Sequence, residues 1–198
     1  AFSGMISTMG EPGGPMARAS FSPVDLSTGM NGVIGILAAL LERERTGRGA
    51  YVEVSLLDSS VALMTYLAQS YWRTGVPPKR MGTGHPALCP YQAFDVADGH
   101  IMLGVGNDAQ WRRFCAVAGL GNVVDDPRFA TNAQRVANRE ETVAVVGEAM
   151  KTRPLAQWLD ELRGAGVPCS PIHTLDEALT HPQLEARQLV VRSRHPVL

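Results

Sequence analysis

The first third of the chain combines two hydrophobic periodicities. Apolar residues recur every three or four positions over residues 28–46 and 57–71, which predicts two helices. Apolar and polar residues alternate over residues 51–56, which predicts a strand with one buried face. Helix, strand and helix in this order are typical of an α/β domain built on a sheet.

Three glycines, Gly29, Gly32 and Gly35, lie three residues apart along one side of the first predicted helix. Each costs about 1 kcal/mol relative to alanine inside a helix. We therefore expect another element to pack very close to this side. A helix or a strand is the favoured neighbour, ahead of an anion bound at the helix N-terminus.

Short strands and helices alternate in the second half of the chain. Glycine and proline are dense over residues 73–90, which predicts an interdomain linker. Two strands, over residues 91–96 and 100–104, flank the strong turn pair Asp98–Gly99. The remaining elements predicted are helices after Asn107 or Asp108, over residues 131–151 and after Thr152 (with Pro154 as its first residue), and short strands over residues 167–172 and 189–194. Trp111 and Trp158 fall on apolar helix faces and are expected in the core.

The composition disfavours several classes of protein. With 45% hydrophobic and 19% charged residues, the 198-residue chain can bury a core and is not expected to be disordered. A formal net charge of −1 does not favour a nucleic-acid partner. The sequence has no run of about 18 uninterrupted apolar residues, so no membrane partner is expected. Cysteine and histidine spacings do not match a metal site, so no metal is expected either.

Cys89, Cys115 and Cys169 are far apart and lie in apolar surroundings. This pattern is typical of reduced, buried thiols, and we expect a cytoplasmic protein. The first residues have no charged n-region, so no signal peptide is expected. Because the chain begins at Ala1 in mid-pattern and ends on apolar residues, we expect it to be part of a longer polypeptide.

A series of short strings, each weak alone, occurs in an order and spacing that resembles one family. The strings are residues 25–30 (DLSTGM), 38–40 (AAL), 45–49 (RTGRG), 52–58 (VEVSLLD), 90–94 (PYQAF), 98–99 (DG), 106–111 (GNDAQW), 126–129 (DPRF), 166–172 (GVPCSPI) and 181–183 (HPQ). On these strings the chain resembles the class III CoA-transferases (CaiB/BaiF), which include formyl-CoA transferase and the carnitine CoA-transferases. The similarity is greatest to members that use succinyl-CoA and dicarboxylates.

The resemblance implies an α/β fold in several parts. Residues 1–72 would be the C-terminal part of a large Rossmann-like domain, and residues 73–90 a linker that carries a glycine loop. Residues 91–190 would form a small α+β domain, and residues 191–198 would begin a return linker. The intact family member would be an interlocked homodimer.

The resemblance also implies a mechanism. The nucleophile of the family is an aspartate carboxylate, which forms a mixed anhydride and then an enzyme–CoA thioester. The string that follows this aspartate in the family is matched here from Ala1 onward. The nucleophile is therefore expected upstream of Ala1, and no catalytic residue is expected within the chain. The partners would be an acyl-CoA and a small carboxylic acid, with CoA as substrate and no bound cofactor.

Five residues are candidates for substrate contacts. Gly82, Thr83, Gly84 and His85 match the glycine loop of the family, which closes over the reacting aspartate and offers backbone amides to the reaction intermediates. An ordinary linker turn is the alternative. His85 is also a candidate donor to an acyl carboxylate. Asp108 matches a position where the racemase branch of the family has an active-site glutamate, and helix capping is its alternative role.

Other charged residues have simpler interpretations. Asp25 and Asp58 are predicted to cap helices. Arg73, Lys79 and Arg80 form a small basic cluster, which favours a solvated linker face over a site for CoA phosphates.

Two other functions remain open on the sequence. An acyl-CoA racemase of the same fold would need a histidine and an aspartate upstream, one on each side of the reacting carbon. A non-catalytic module that keeps a dimer together is the third interpretation.

Overall fold

The structure, a computed structural model, describes residues 2–191 and 193–194. The chain forms two compact units, Ala1–Thr83 and Gly84–Leu198. The first unit contains a 3₁₀ helix, Met5–Thr8, and the helices α1 (Pro23–Thr46), α2 (Leu56–Leu63) and α3 (Thr65–Thr74). The second helix predicted from the sequence is therefore two helices, which meet where Thr65 has a positive φ of 29°.

Helix α1 begins five residues before its predicted start because Pro23 lies at its first position, where the missing N–H costs nothing. Gly47 ends it in the left-handed conformation, with φ 69°. None of its residues is buried in this chain, and apolar residues such as Ile34 and Leu41 are exposed.

Within the described residues, α1 is the one helix whose length and composition would allow it to cross a membrane. A core helix of a soluble protein meets the same criterion. The expected absence of a membrane partner stays a prediction.

The predicted strand over residues 51–56 is wrong. No described residue of the first unit is in a strand, and Ser55 instead caps α2 by accepting a hydrogen bond from Asp58 N at 3.0 Å. The valines of this segment pack on the glycine side of α1. A Cβ atom added to Gly35 would lie 2.7 Å from Val52 Cγ1. The valines of this segment therefore pack on a helix, and the segment pairs with no strand among the described residues.

Very close packing on the glycines of α1 is confirmed at Gly35 alone, and Gly32 makes an ordinary van der Waals contact. A Cβ atom added to Gly32 would lie 3.7 Å from Val54 Cγ2, whereas one added to Gly29 would meet nothing within 4 Å. The neighbour is an irregular segment and not the predicted helix or strand.

The second unit contains a three-stranded antiparallel sheet in the order β1–β2–β3, with β1 at Tyr91–Val96, β2 at Gly99–Gly104 and β3 at Cys169–Pro171. The predicted hairpin is confirmed, with Val96 opposite Gly99 across the turn. The strand predicted over residues 167–172 is present as the shorter β3. The described residues of the strand predicted over 189–194 are not in a strand, and Arg192 lies outside the described residues.

Six helices are described in the second unit: α4 (Asp108–Ala118), α5 (Asn132–Ala137), α6 (Arg139–Met150), α7 (Leu155–Gly164), α8 (Leu175–Leu179) and α9 (Pro182–Ala186). The long helix predicted over residues 131–151 is broken at Asn138, whose φ of −107° and ψ of 42° are not helical. Pro154 precedes α7 as its N-cap residue instead of being its first helical residue. The predicted return linker, residues 191–198, lies mostly outside the described residues.

Every buried apolar side chain among the described residues lies in the second unit. All of them except Cys89 form one cluster, in which Trp111 and Trp158 are fully buried, as predicted. The fold is therefore a mixture of helices with a small antiparallel sheet, of the α/β class. The assignment of residues 1–72 to a Rossmann-like domain, and the homodimer, stay predictions.

Candidate active site

The predicted glycine loop begins in the first unit at Gly82. Its N–H donates to Gly10 O at 2.9 Å, and its φ is +57°. A Cβ atom at this position would lie 2.5 Å from Glu11 Oε2. The left-handed backbone favours glycine here, whereas the Glu11 carboxylate is the end of a flexible, exposed side chain that can move aside.

Arg80 also contacts the N-terminal loop of the first unit. Its NH2 group donates to Gly14 O at 2.8 Å and its Nε to Glu11 O at 3.4 Å. The interpretation of Arg80 as part of a solvated linker face is therefore wrong, because its guanidinium binds backbone carbonyls. Thr83 is exposed and closes this unit, and Gly84 and His85 belong to the second.

His85 is held by three contacts inside the second unit. Its backbone N–H donates to Tyr91 O at 2.9 Å, and its ring stacks on that of Tyr91 with centroids 5.4 Å apart. Its Nδ1 accepts a hydrogen bond from Ala87 N at 3.1 Å. An imidazole that accepts at Nδ1 carries its proton on Nε2.

The charge state of His85 follows from its surroundings. Burial lowers the pKa of His85 below its ordinary value, and the positive charge of Arg139 lowers it further. The lowered pKa favours the neutral form of His85, in which Nδ1 accepts from Ala87 N and the proton is on Nε2.

Asp108 does not cap its own helix, so that interpretation is wrong. Asn107 caps α4 by accepting from Gln110 N at 2.9 Å. Asp108 Oδ1 instead accepts from Asn132 N, the first residue of α5, at 2.7 Å and from Arg135 NH2 at 2.9 Å. The Asp108 side chain is 40% exposed, whereas that of Arg135 is fully buried.

Arg135 is the group that requires this carboxylate. A buried guanidinium is costly unless its charge is paired and its N–H groups are bonded. Besides Asp108, Arg135 binds Cys89 O through Nε at 2.7 Å and Phe129 O through NH1 at 2.8 Å. Its guanidinium carbon lies 4.9 Å from the centroid of the Trp111 ring.

The other two candidate aspartates lie inside first helical turns and not at caps. Asp25 belongs to α1, whose N-cap is Ser22, and Asp58 belongs to α2, whose N-cap is Ser55. The capping interpretation is wrong for both, although a negative charge in a first turn still favours the helix dipole.

The three thiols are poor nucleophiles. Burial raises the pKa of Cys115 to about 12, and it also raises the pKa of Cys89 and Cys169. All three are free cysteines, of which Cys89 and Cys115 are buried, as expected. In the described part of the chain, no group of three or more histidine, cysteine or acidic residues could hold a metal ion.

Comparison with known proteins gives the family. A family model described as CoA-transferase family III matches residues 1–197. The chain belongs to CoA-transferase family III.

Named relatives support this membership over nearly the whole chain. The succinyl-CoA:glutarate CoA-transferase of Mus musculus is 35% identical over 198 residues, which are 100% of this chain and 45% of that protein. The acetyl-CoA:oxalate CoA-transferase of Acetobacter aceti is 36% identical over 194 residues, 98% of this chain and 50% of that protein.

A solved structure agrees with the fold. The crystal structure of a CaiB/BaiF family protein from Brucella suis superimposes with a TM-score of 0.77 at 36% identity, covering 94% of this chain and 49% of that chain. The chain thus spans about half the length of the relatives that it matches.

The contact residues Gly82, Thr83, Gly84, His85 and Asp108 stay predictions in this family III chain. Within the second unit, the structure links His85 and Asp108 through residues that sequence reasoning missed, chiefly Asn132, Arg135 and Arg139. The spacing of three residues between Asn132 and Arg135 was the available signal, since it places their side chains on one face of α5, whereas Arg139 lies in the next helix, α6. Nothing in the sequence indicated what that face contacts.

Proposed function

We propose that the protein of which this chain is part transfers CoA between an acyl-CoA and a carboxylic acid. The observation that carries the proposal is the family III match across residues 1–197, with relatives named as CoA-transferases. The glutarate, succinate and oxalate in the names of relatives favour dicarboxylic acids as substrates.

The proposed chemistry uses an aspartate carboxylate upstream of Ala1. It attacks the thioester carbonyl, the C–S bond breaks, and CoA leaves as a thiolate. The thiolate then attacks the aspartyl carbonyl of the anhydride, releasing the donor acid and leaving an aspartyl-CoA thioester. The acceptor carboxylate attacks this thioester, and the expelled thiolate takes the acceptor acyl group, which regenerates the aspartate.

Residues of this chain would assist these steps through Gly82–His85. Backbone amides and the neutral Nε2–H of His85 are donors suited to the oxyanion of an attacked carbonyl or to a substrate carboxylate. A neutral donor has the advantage that it does not trap the carboxylate product as an ion pair. Asp108 would act by holding Arg135 and Asn132, since Oδ1 already accepts two hydrogen bonds. The relatives named as CoA-transferases favour transfer over the racemase alternative, whose proton-exchanging histidine and aspartate would lie upstream of Ala1.

The interlocked homodimer and the cytoplasmic location are part of the proposal. Exposed apolar residues on α1 support an association with further protein surface, because unpaired apolar helix faces of this length are costly in water. The three free thiols, of which Cys89 and Cys115 are buried, support a reducing compartment.

The test uses the full-length natural protein. It is incubated with succinyl-CoA and single carboxylic acids (glutarate, oxalate, mesaconate and acetate), and new acyl-CoA species are measured by mass spectrometry. Hydroxylamine added with the donor alone should convert one upstream aspartate to a hydroxamate. The 198-residue chain by itself should give neither product. Failure of every acceptor to acquire CoA, or undiminished transfer after replacement of the upstream aspartate by alanine, would refute the proposed function.

A further inference from the structure

The segment that follows the glycine loop is held by side chains and not by a strand. Residues 86–89, which we call the loop anchor, have no helix or strand assignment. Backbone carbonyls without a helix or strand partner need other donors when they are shielded from water.

Three side chains of α5 and α6 supply those donors. Arg139 donates to Pro86 O through NH2 at 3.0 Å and to Leu88 O through NH1 at 3.4 Å. Asn132 Nδ2 donates to Ala87 O at 2.9 Å, and Arg135 Nε donates to Cys89 O at 2.7 Å. Four consecutive carbonyls of the loop anchor are thus bound by Asn132, Arg135 and Arg139.

The loop anchor also donates a hydrogen bond back to Asn132, and the hydrogen bonding continues at Pro90 beside the sheet. Asn132 Oδ1 accepts from Cys89 N at 3.2 Å, so this amide fixes the anchor from both sides. Every carbonyl of the loop anchor therefore accepts a hydrogen bond from a side chain of α5 or α6. The next carbonyl, of Pro90, accepts one at 2.9 Å from the N–H of Val105, the residue that follows β2.

The direction of His85 depends on this fastening. Ala87 donates its N–H to His85 Nδ1, and the carbonyl of the same residue is held by Asn132. A shift of Ala87 would rotate the imidazole, because the Nδ1 bond fixes the ring about its side-chain torsion. Asn132 and Arg135, which bind the loop anchor, are themselves held in place because both donate to Asp108 Oδ1.

We infer that Asn132, Arg135 and Arg139 are positioning residues of the transfer reaction, which fix the C-terminal end of the glycine loop and the direction of the His85 Nε2–H. The inference rests on the proposed function. Arginine suits this role because its planar fork donates to two carbonyls at once, which a lysine does less well.

The first arm of the test measures the anchor directly, without any activity. Hydrogen exchange is followed in the full-length protein and in its Asn132→Ala and Arg139→Gln variants. The amides of Ala87 and Cys89 should exchange about tenfold faster in both variants, whereas amides of the β1–β2 ladder should not change. Arg128→Gln is the matched control, because Arg128 binds the side chains of Asp126 and Glu141. Equal exchange in control and variants would overturn the anchoring.

The second arm measures transfer in the full-length protein. In Asn132→Ala and Arg139→Gln, kcat should fall roughly 10- to 100-fold, while KM for the acyl-CoA should change by less than about threefold. Arg139→Lys, which keeps one donor, should recover part of the loss, and Arg128→Gln should match the unaltered protein. Arg135→Met is a weaker probe, since removal of a fully buried arginine can prevent folding.

The outcomes separate the two claims. If the unaltered full-length protein transfers no CoA, the proposed function fails, and the positioning role fails with it, whatever the exchange data show. If it transfers CoA and the variants exchange faster but keep their kcat, the positioning role alone fails. Faster exchange together with a lower kcat at nearly constant KM supports the inference.

Discussion

The carboxylate of Asp108 accepts a hydrogen bond from the guanidinium of Arg135 at 2.9 Å, and the two residues are 27 positions apart in sequence. The arginine is fully buried and the aspartate is 40% exposed, so the pair connects the core of the second unit to its surface. This pair links α4 to α5, and through Arg135 it reaches the backbone of Cys89 at the end of the loop anchor.

Removal of this carboxylate should destabilise the second unit. Asp108→Ala would leave a buried guanidinium with an unpaired N–H, and we expect a loss of about 2 kcal/mol, reduced from the value of a fully buried pair by the exposure of Asp108. Urea unfolding followed by tryptophan fluorescence measures it, since Trp111 and Trp158 are buried. Asp160→Ala, at an exposed position of α7, is the control and should change stability by less than about 0.5 kcal/mol. Equal effects of the two substitutions would contradict the structural role of the pair.

The glycines of α1 should differ in their tolerance of alanine. Gly35→Ala places a methyl group 2.7 Å from Val52 Cγ1 and should destabilise the full-length protein by about 1 kcal/mol. Gly29→Ala meets nothing within 4 Å and should stabilise it by about 0.5 kcal/mol or more, since alanine favours helices. Thermal unfolding of both variants gives the comparison. A stabilising Gly35→Ala would show that Val52 does not pack on this face.

The pKa of His85 should reflect its burial and the positive charge of Arg139. Because burial and Arg139 lower the folded-state pKa of His85, its NMR titration should lie below about 6.5, the ordinary value for histidine. Arg139→Gln should raise this pKa part of the way, because burial is the larger cause and remains. His85→Gln identifies the resonance. A pKa of His85 that does not move in Arg139→Gln would contradict the electrostatic effect of Arg139 on this histidine.

The same shift predicts a pH dependence of stability. A histidine whose pKa is lower in the folded state binds its proton more readily when unfolded, so stability falls as the pH drops from the unfolded-state pKa through the folded-state pKa. His85→Gln should therefore lose less stability than the unaltered chain between pH 7 and about pH 5. Parallel urea midpoints for the two proteins across this range would be evidence against a lowered pKa.

A bulky residue in the glycine loop should lower the rate of CoA transfer. Gly84→Val restricts the backbone beside His85, and we expect kcat of the full-length protein to fall at least about tenfold while its melting temperature changes little. Gly121→Val is the control, because Gly121 is exposed and a Cβ atom there would meet nothing within 4 Å. Matching losses of activity and melting temperature in Gly84→Val would indicate an ordinary linker turn.

Local features of the fold were predictable because short-range physics dictates them. The β1–β2 hairpin follows from alternation on both sides of Asp98–Gly99, and α1 follows from its helical repeat. The strand predicted over residues 51–56 failed because the same alternation is satisfied by valines packing on the glycines of α1. The break at Asn138 was missed although the apolar repeat stops there, since residues 138–142 (NREET) are all polar.

The sequence by itself determined the family, through strings whose order and spacing persist along the chain, and it determined the hairpin and the main helices, since their patterns lie within a few residues. Only the tertiary structure decided what holds the glycine loop, because Asn132, Arg135 and Arg139 bind carbonyls 45 to 53 positions away in sequence. Such contacts depend on how α5 and α6 pack against the segment before β1, and no local periodicity encodes that packing.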